Sequence, residues 1–311
     1  MCIRDSLVPA SVNGDATARA QLRPRTLMVV IAVVGGLGAA LSWALATLAG
    51  ARAARVIGPW SATALIVLVG LLATAPLLLL EPPAALPTAE DVAWLVLAGL
   101  GYAVGLIFNY TALSGGKVAV TAPIVSTEGS VAAALAVLTG EAASPLLLLM
   151  LAMIAVGIFV VAMQPGGGAD ALAGGGPRYV VFAVLAALIF GLGLYGAGRA
   201  SDTVPPSLVA AAGRVAGVAI FTLPLVLARR LRFDRNVLPF LLIAGVAEVV
   251  GMYLFALGAA ESIAISSVLA SQFAVLAALI AHAVGERISS RQWAGVAAVT
   301  VGVVVITITR L

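Results

Sequence analysis

The amino-acid sequence predicts an all-α polytopic membrane protein whose ten transmembrane helices form two inverted five-helix repeats. Three observations carry that expectation: a deficit of charge, ten apolar runs of bilayer length, and a correspondence between the two halves. Of 311 residues, 62% are hydrophobic and 10% are charged, and the mean hydropathy is +1.16. A soluble domain carries about 25% charged residues; a chain this poor in charge has too little to cover a soluble surface. The net charge of +4 and the pI of about 9.7 do not point to nucleic acid. The arginines sit in short gaps between apolar runs and read as topology signals.

Residues 1–26 form a polar tail with Arg19, Arg23 and Arg25, lacking the apolar core and cleavage site of a signal peptide. The opening MCIRDS is out of keeping with the rest of the chain and reads as a misassigned start. Crossing the hydrocarbon core takes about 20 mainly apolar residues. Ten segments qualify: 27–49, 60–80, 92–113, 118–139, 145–163, 179–199, 206–228, 237–257, 262–284 and 290–309. The gaps collect Pro, Gly, Arg, Glu and Asp, as in Glu81-Pro82-Pro83, Glu90-Asp91 and Arg229-Arg230-Leu231-Arg232. The runs are continuous rather than alternating, which excludes a β-barrel. Lipid also leaves backbone groups no water to bind, so each span is read as helix.

The longest interior gap, the Gly-rich 164–177, leaves five helices on each side. It divides the chain into a first repeat, 27–163, and a second, 178–311. Ala98-Gly99 and Gly105 find counterparts in Ala244-Gly245 and Gly251, and Tyr110-Thr111-Ala112-Leu113 in Phe255-Ala256-Leu257. Gly140-Glu141 matches Gly285-Glu286, and Gly157 matches Gly302. An odd number of helices per half forces opposite insertion of the halves. Inverted repeats place a solute site at their interface near the bilayer midplane.

These stretches resemble the drug/metabolite transporter superfamily of the EamA type. The resemblance rests on Ser42-Trp43-Ala44, on Ala112-Leu113 leading to Pro123, and on Gly140-Glu141. It is closer in the second half, where Gly285-Glu286-Arg287-Ile288-Ser289 is followed by Gln292, Gly295 and Gly302. The first half departs from the pattern, with Met150 at the place of Gly295 and Ala142 at the place of Arg287. The resemblance covers residues 27–309. It implies a central cavity and the export or exchange of a small metabolite or drug-like solute by alternating access.

Few polar residues lie within the spans, which makes each informative. Glu128 falls near the centre of the fourth, beside Ser126 and Thr127. A charge there costs roughly 2.5–3.5 kcal/mol on insertion scales. The functional reading is a solute or proton site; the bland one is a protonated carboxyl bonded between helices. Glu248 in the eighth span and Arg214 in the seventh read either as part of that site or as a structural ion pair. Aligning Glu141 with Glu286 sets Ser271 and Gln272 opposite Ser126 and Thr127. Such symmetric polar pairs suit a central site or simple interhelical hydrogen bonding. Trp43, Asn109 and Tyr110 are further candidates for the cavity wall, with Tyr102, Tyr195 and Tyr253; aromatics near span ends are otherwise interfacial anchors.

Glu141 and Glu286 are read as structural, their Gly-Glu turns capping the next helix with Ser144 or Ser289. One cysteine, Cys2, and one histidine, His282, supply no disulfide and no metal cluster. Gly191 to Gly196 fits GxGxxG but lies in an apolar helix without the strand a dinucleotide site needs. No cofactor is expected, and no Walker motif is present to drive transport by ATP. The partners expected are a small solute, protons and the bilayer of a bacterial inner membrane, with monomer and homodimer both open. The rivals are a lipid flippase of the same fold and, with less support, a membrane-embedded enzyme. Basic residues count toward termini outside the cytoplasm, with Arg52, Arg55, Lys117, Arg178 and Arg229–Arg235 on the other side. The resemblance implies termini inside it.

Overall fold

The computed structural model describes residues 25–116, 118–141 and 177–283, together with Pro145 and Leu149. The rest of the expected fifth span, the tenth span, most of the tail, residues 164–176, and Gly285 and Glu286 lie outside the described residues. Everything regular among the described residues is helical. The order is α1 (Arg25–Ile57), α2 (Pro59–Leu80), α3 (Ala89–Gly115), α4 (Val118–Val125), α5 (Glu128–Leu138) and α6 (Pro177–Ala200). It continues with α7 (Pro206–Gly217), α8 (Leu223–Leu227), α9 (Leu238–Ala259), α10 (Ile263–Ala270) and α11 (Phe273–Ala283).

Six helical stretches are long and apolar enough to cross a membrane. Most match the expected spans within a few residues, but α1 runs to Ile57 instead of stopping at 49. The apolar run ends there, yet alanines continue the helix and Arg52 and Arg55 ride on its polar end. It stops at Gly58, whose positive φ of 85° breaks the helix. The seventh span widens into a π turn at Val218–Thr222 before α8. Pro224 has no N–H for the α-helical ladder, and the extra residue absorbs the mismatch.

The fourth and ninth spans depart most from expectation. Neither is continuous: α4 ends at Val125 and α5 begins at Glu128, while α10 ends at Ala270 and α11 begins at Phe273. The breaks recur 145 positions later, Val125 to Ala270 and Glu128 to Phe273. The interrupting pairs are Ser126-Thr127 and Ser271-Gln272, the residues that the sequence sets opposite one another. The side chains of Thr127, Ser271 and Gln272 bend back onto the preceding turn. Thr127 Oγ1 donates to the Ile124 carbonyl at 2.8 Å. Ser271 Oγ and Gln272 Nε2 both donate to the Val268 carbonyl, at 2.7 and 2.8 Å. The backbone N–H groups of Thr127 and Gln272 bond three residues back instead of four. Hydroxyl and amide groups thus supply the local partners that let a helix stop where water cannot help.

Small residues set the packing. A Cβ on Gly101 would lie 2.5 Å from the Gly193 Cα, and one on Gly105 2.5 Å from the Phe190 ring. Further along, Gly115 abuts Tyr179. Ascending numbers on α3 meet descending numbers on α6, so the two are antiparallel. In the same way Gly35 meets Leu254 and Gly258 while Gly251 meets Trp43, which makes α1 and α9 antiparallel. The apparent dinucleotide motif belongs here: Gly191, Gly193 and Gly196 admit Val131, Gly101 and Leu97. One end of the bundle collects the 57–61, 115–116, 177–179 and 228–237 segments, the other the 81–89, 139–141, 200–205 and 260–262 segments. Gly101→Ala should force α3 and α6 apart and cost about 1–3 kcal/mol. A lowered apparent Tm in detergent, with unchanged membrane insertion, is the expected measurement.

Candidate functional site

The helix breaks and the middles of α1, α3, α6 and α9 surround a narrow cleft. Its aromatic wall is Trp43, Tyr102, Phe190 and Phe273; its polar groups are Thr47, Asn109, Glu128 and Glu248. Val125, Gly193, Leu194 and Met252 complete it. Each break places the first residue of a half-helix, Glu128 of α5 and Phe273 of α11, on the cleft. The two positions correspond under the 145-residue offset. The N-terminal ends of two half-helices therefore converge on one space, with positive dipole ends turned to it.

Glu128 is 5% exposed, and no hydrogen bond or ion pair engages its carboxyl among the described residues. Glu248 is different. Arg214, completely buried, brings its guanidinium to 3.9 Å from the Glu248 carboxylate. The same guanidinium stacks over Tyr102, 4.0 Å from the ring centroid. None of its three nitrogens makes a hydrogen bond among the described residues. Gly70 leaves it room, since a Cβ there would approach Nε to 3.1 Å. Arg214 stands behind Tyr102 and Glu248 and is not part of the cleft wall. The pair is an electrostatic contact in a dry site, where losing one partner costs about 3–5 kcal/mol.

Of the residues singled out from sequence, Glu128, Glu248, Trp43 and Asn109 meet on the cleft. Ser126, Thr127, Ser271 and Gln272 shape the breaks and do not line it. Gln272 keeps its Oε1 unpartnered among the described residues. Tyr110 is fully buried but packs on Gly50, away from the wall. The anchor reading fails for Trp43 and Tyr102, which lie at mid-bundle because close helix contacts draw them inward. Thr47, Phe190, Met252 and Phe273 were not singled out. Only Phe273 carried a signal, as the counterpart of Glu128.

Glu141 does cap a helix, but not the next one. Its carboxylate accepts from the Ser262 hydroxyl at 2.5 Å and from the Ala264 N–H at 3.2 Å, at the start of α10. Gly140, with φ 110°, closes α5 in a turn where the Glu141 N–H bonds to the Ala136 carbonyl and the Gly140 N–H to that of Val137. That turn aims Glu141 across the interface between the halves. Glu81 acts likewise, accepting from the Ser207 N–H at 3.2 Å at the start of α7. Beside Glu141 lies a polar cleft with Thr139, Arg199, Asp202 and Glu261. Burial raises the Asp202 carboxyl above its ordinary range, opposed by Arg199 and reinforced by Glu141. No group of three or more His, Cys, Asp or Glu side chains able to hold a metal occurs among the described residues.

The family model of the EamA-like transporter family matches the chain twice, over residues 30–163 and 177–308. No curated protein matches it significantly. Among solved structures, 24 chains match. One, titled "Crystal structure of protein", shares 20% identity over 92% of this chain and 100% of its own, with a TM-score of 0.71. At that identity the likeness establishes the fold.

Arg214→Met should destabilise the protein by about 3–5 kcal/mol by stranding Glu248. Adding Glu248→Leu should recover much of the loss in a double-mutant cycle of thermal unfolding. Glu141→Ala should cost about 1.5–3 kcal/mol, the worth of hydrogen bonds to a charged acceptor. Glu141→Gln should cost less, and hydrogen exchange should show α10 fraying first.

Proposed function

This chain belongs to the EamA-like transporter family, and from that premise we propose a secondary carrier that exports a small metabolite or drug-like solute from a bacterial cell by alternating access, with proton coupling through Glu128. The family match supports membrane transport, and the 62% hydrophobic, multi-span chain suits a multi-pass membrane protein. The finer reading is supported by one observation above the rest. Two interrupted helices at corresponding positions in the halves converge on a cleft that holds a buried carboxyl, that of Glu128, with no ion-pair partner among the described residues. Broken helices in corresponding positions are the signature of a carrier site, because they deliver helix ends and unpaired backbone to a solute at mid-membrane.

The antiparallel packing of α3 on α6 and of α9 on α1 supports two inverted five-helix repeats around this cleft. Alternating access then amounts to rocking one repeat against the other. The contacts of Glu141 with Ser262 and of Glu81 with Ser207 join the halves at one end of the bundle. They are hydrogen bonds at a polar boundary, which exchange readily for water when the end opens.

Proton coupling follows from the contrast between the two glutamates. Glu248 has a fixed cation beside it, whereas Glu128 has none among the described residues. A carboxyl in this setting needs a proton or a solute cation to lower its charge. Glu128→Gln should abolish solute efflux from inverted or loaded vesicles, by at least a hundredfold, while expression and membrane insertion match the parent. Normal efflux by the well-expressed variant would remove Glu128 from the transport cycle.

A further inference from the structure

We propose that an open groove at the basic end of the bundle binds the phosphate headgroup of an anionic phospholipid from the adjoining leaflet, through Arg229, Arg230 and Arg232. The site is separate from the central cleft and goes beyond the carrier reading. The groove lies where α1 hands over to α2, and Gly58, Pro59, Trp60 and Ser61 form one of its walls. The 229–232 segment, three arginines around Leu231, forms the other. All three arginines are exposed, and no acidic side chain pairs with them among the described residues. The one carboxylate described at this end, Asp234, accepts from the Asn236 N–H at 2.8 Å. Helix dipoles do not decide the sign of the groove, since α2 starts at it while α1 and α8 end at it. The guanidinium groups decide it.

The local backbone holds those arginines together. Arg229 has a φ of 54°, in the left-handed region that favours glycine, so the chain is strained there to keep a side chain. The turn sends the Arg230 N–H to the Leu225 carbonyl at 2.9 Å and reverses the chain after α8. The Arg232 N–H then donates to Ser61 Oγ at 3.1 Å, which ties the arginine segment to the first turn of α2. The surroundings suit a lipid headgroup rather than a free anion. Trp60 is exposed beside the groove and packs edge-on against Phe221, with 5.8 Å between ring centroids, as an interfacial aromatic does. Leu223, Val226 and Leu227, the residues leading into the arginines, are exposed too, and in a membrane-spanning chain they meet acyl chains. A phosphate ester carried on such chains engages both surfaces. Guanidinium groups match its oxygens with paired N–H donors, and a zwitterionic lipid brings its own cation to the same place and gains less.

Thermal unfolding of the purified full chain in a neutral detergent tests the inference with dioctanoyl phosphatidylglycerol, dioctanoyl phosphatidylcholine and inorganic phosphate. The phosphatidylglycerol should raise the apparent Tm in a saturable way, and the phosphatidylcholine should bind at least tenfold more weakly. Inorganic phosphate should give no rise at the concentration where the anionic lipid saturates. The triple variant Arg229→Gln, Arg230→Gln, Arg232→Gln should lose at least tenfold in phosphatidylglycerol affinity. If it does not fold, Arg230→Gln alone should lose about fivefold, the worth of one arginine near an anionic surface. Arg235→Gln removes one exposed charge at the same end but outside the groove, and its affinity should stay within about twofold because solvent and salt screen a remote charge. Equal binding of the two lipids overturns the inference, as does unchanged binding by the groove variants or no response to either lipid. An equal loss in Arg235→Gln and Arg230→Gln would reduce the groove to diffuse surface charge, and an equal response to inorganic phosphate would reduce it to a free-anion site; either result also overturns it. The readout is binding alone, so it stands or falls independently of solute flux.

Discussion

A helix that stops in the middle of a hydrocarbon layer leaves N–H and C=O groups with no water to satisfy them. This chain accepts that cost twice, at Ser126-Thr127 and at Ser271-Gln272. Much of the described structure is arranged around those two stops. The side chains of Thr127, Ser271 and Gln272 fold back to occupy the carbonyls of the turn before each break. Gly129 lets α5 sit directly against the Ser267 backbone of α10, so that the two broken spans support one another. The half-helix starts, Glu128 and Phe273, face the cleft.

A second constraint arises from the first. A site bounded by helix ends and carboxyls has to be held in place by groups that do not themselves occupy it. Arg214 does this for Glu248 from behind Tyr102, at a position cleared by Gly70. Glu81 and Glu141 do it at one end of the bundle, each capping a helix of the other half. Capping across the interface makes the start of α7 and of α10 depend on the first half of the chain.

Much of this is legible in the sequence. Apolar run length locates the six long helices, because the bilayer sets a length that few other structures need. The internal correspondence sets Ser126-Thr127 opposite Ser271-Gln272, at equal distance from the Gly-Glu turns. It does not show that these pairs interrupt their helices: a hydroxyl residue in an apolar run is as compatible with a continuous helix bonded to its neighbour. Nor does it show the reach of Glu141. Capping patterns are local in sequence, and a partner 121 positions away leaves no local trace.

What the sequence by itself determined is the class of the molecule, its repeat, and the short roster of buried polar residues, because hydropathy and spacing depend on the chain alone. What only the tertiary structure decided is which of those residues share a space. Glu128 and Glu248 both face the cleft, yet Glu248 is matched by Arg214 while Glu128 has no such cation among the described residues. That distinction arises from how α7 and α9 pack, with a guanidinium 3.9 Å from one carboxyl. Charge compensation falls off with distance and depends on what lies between, so it is a property of the packed bundle and not of the order of residues along it.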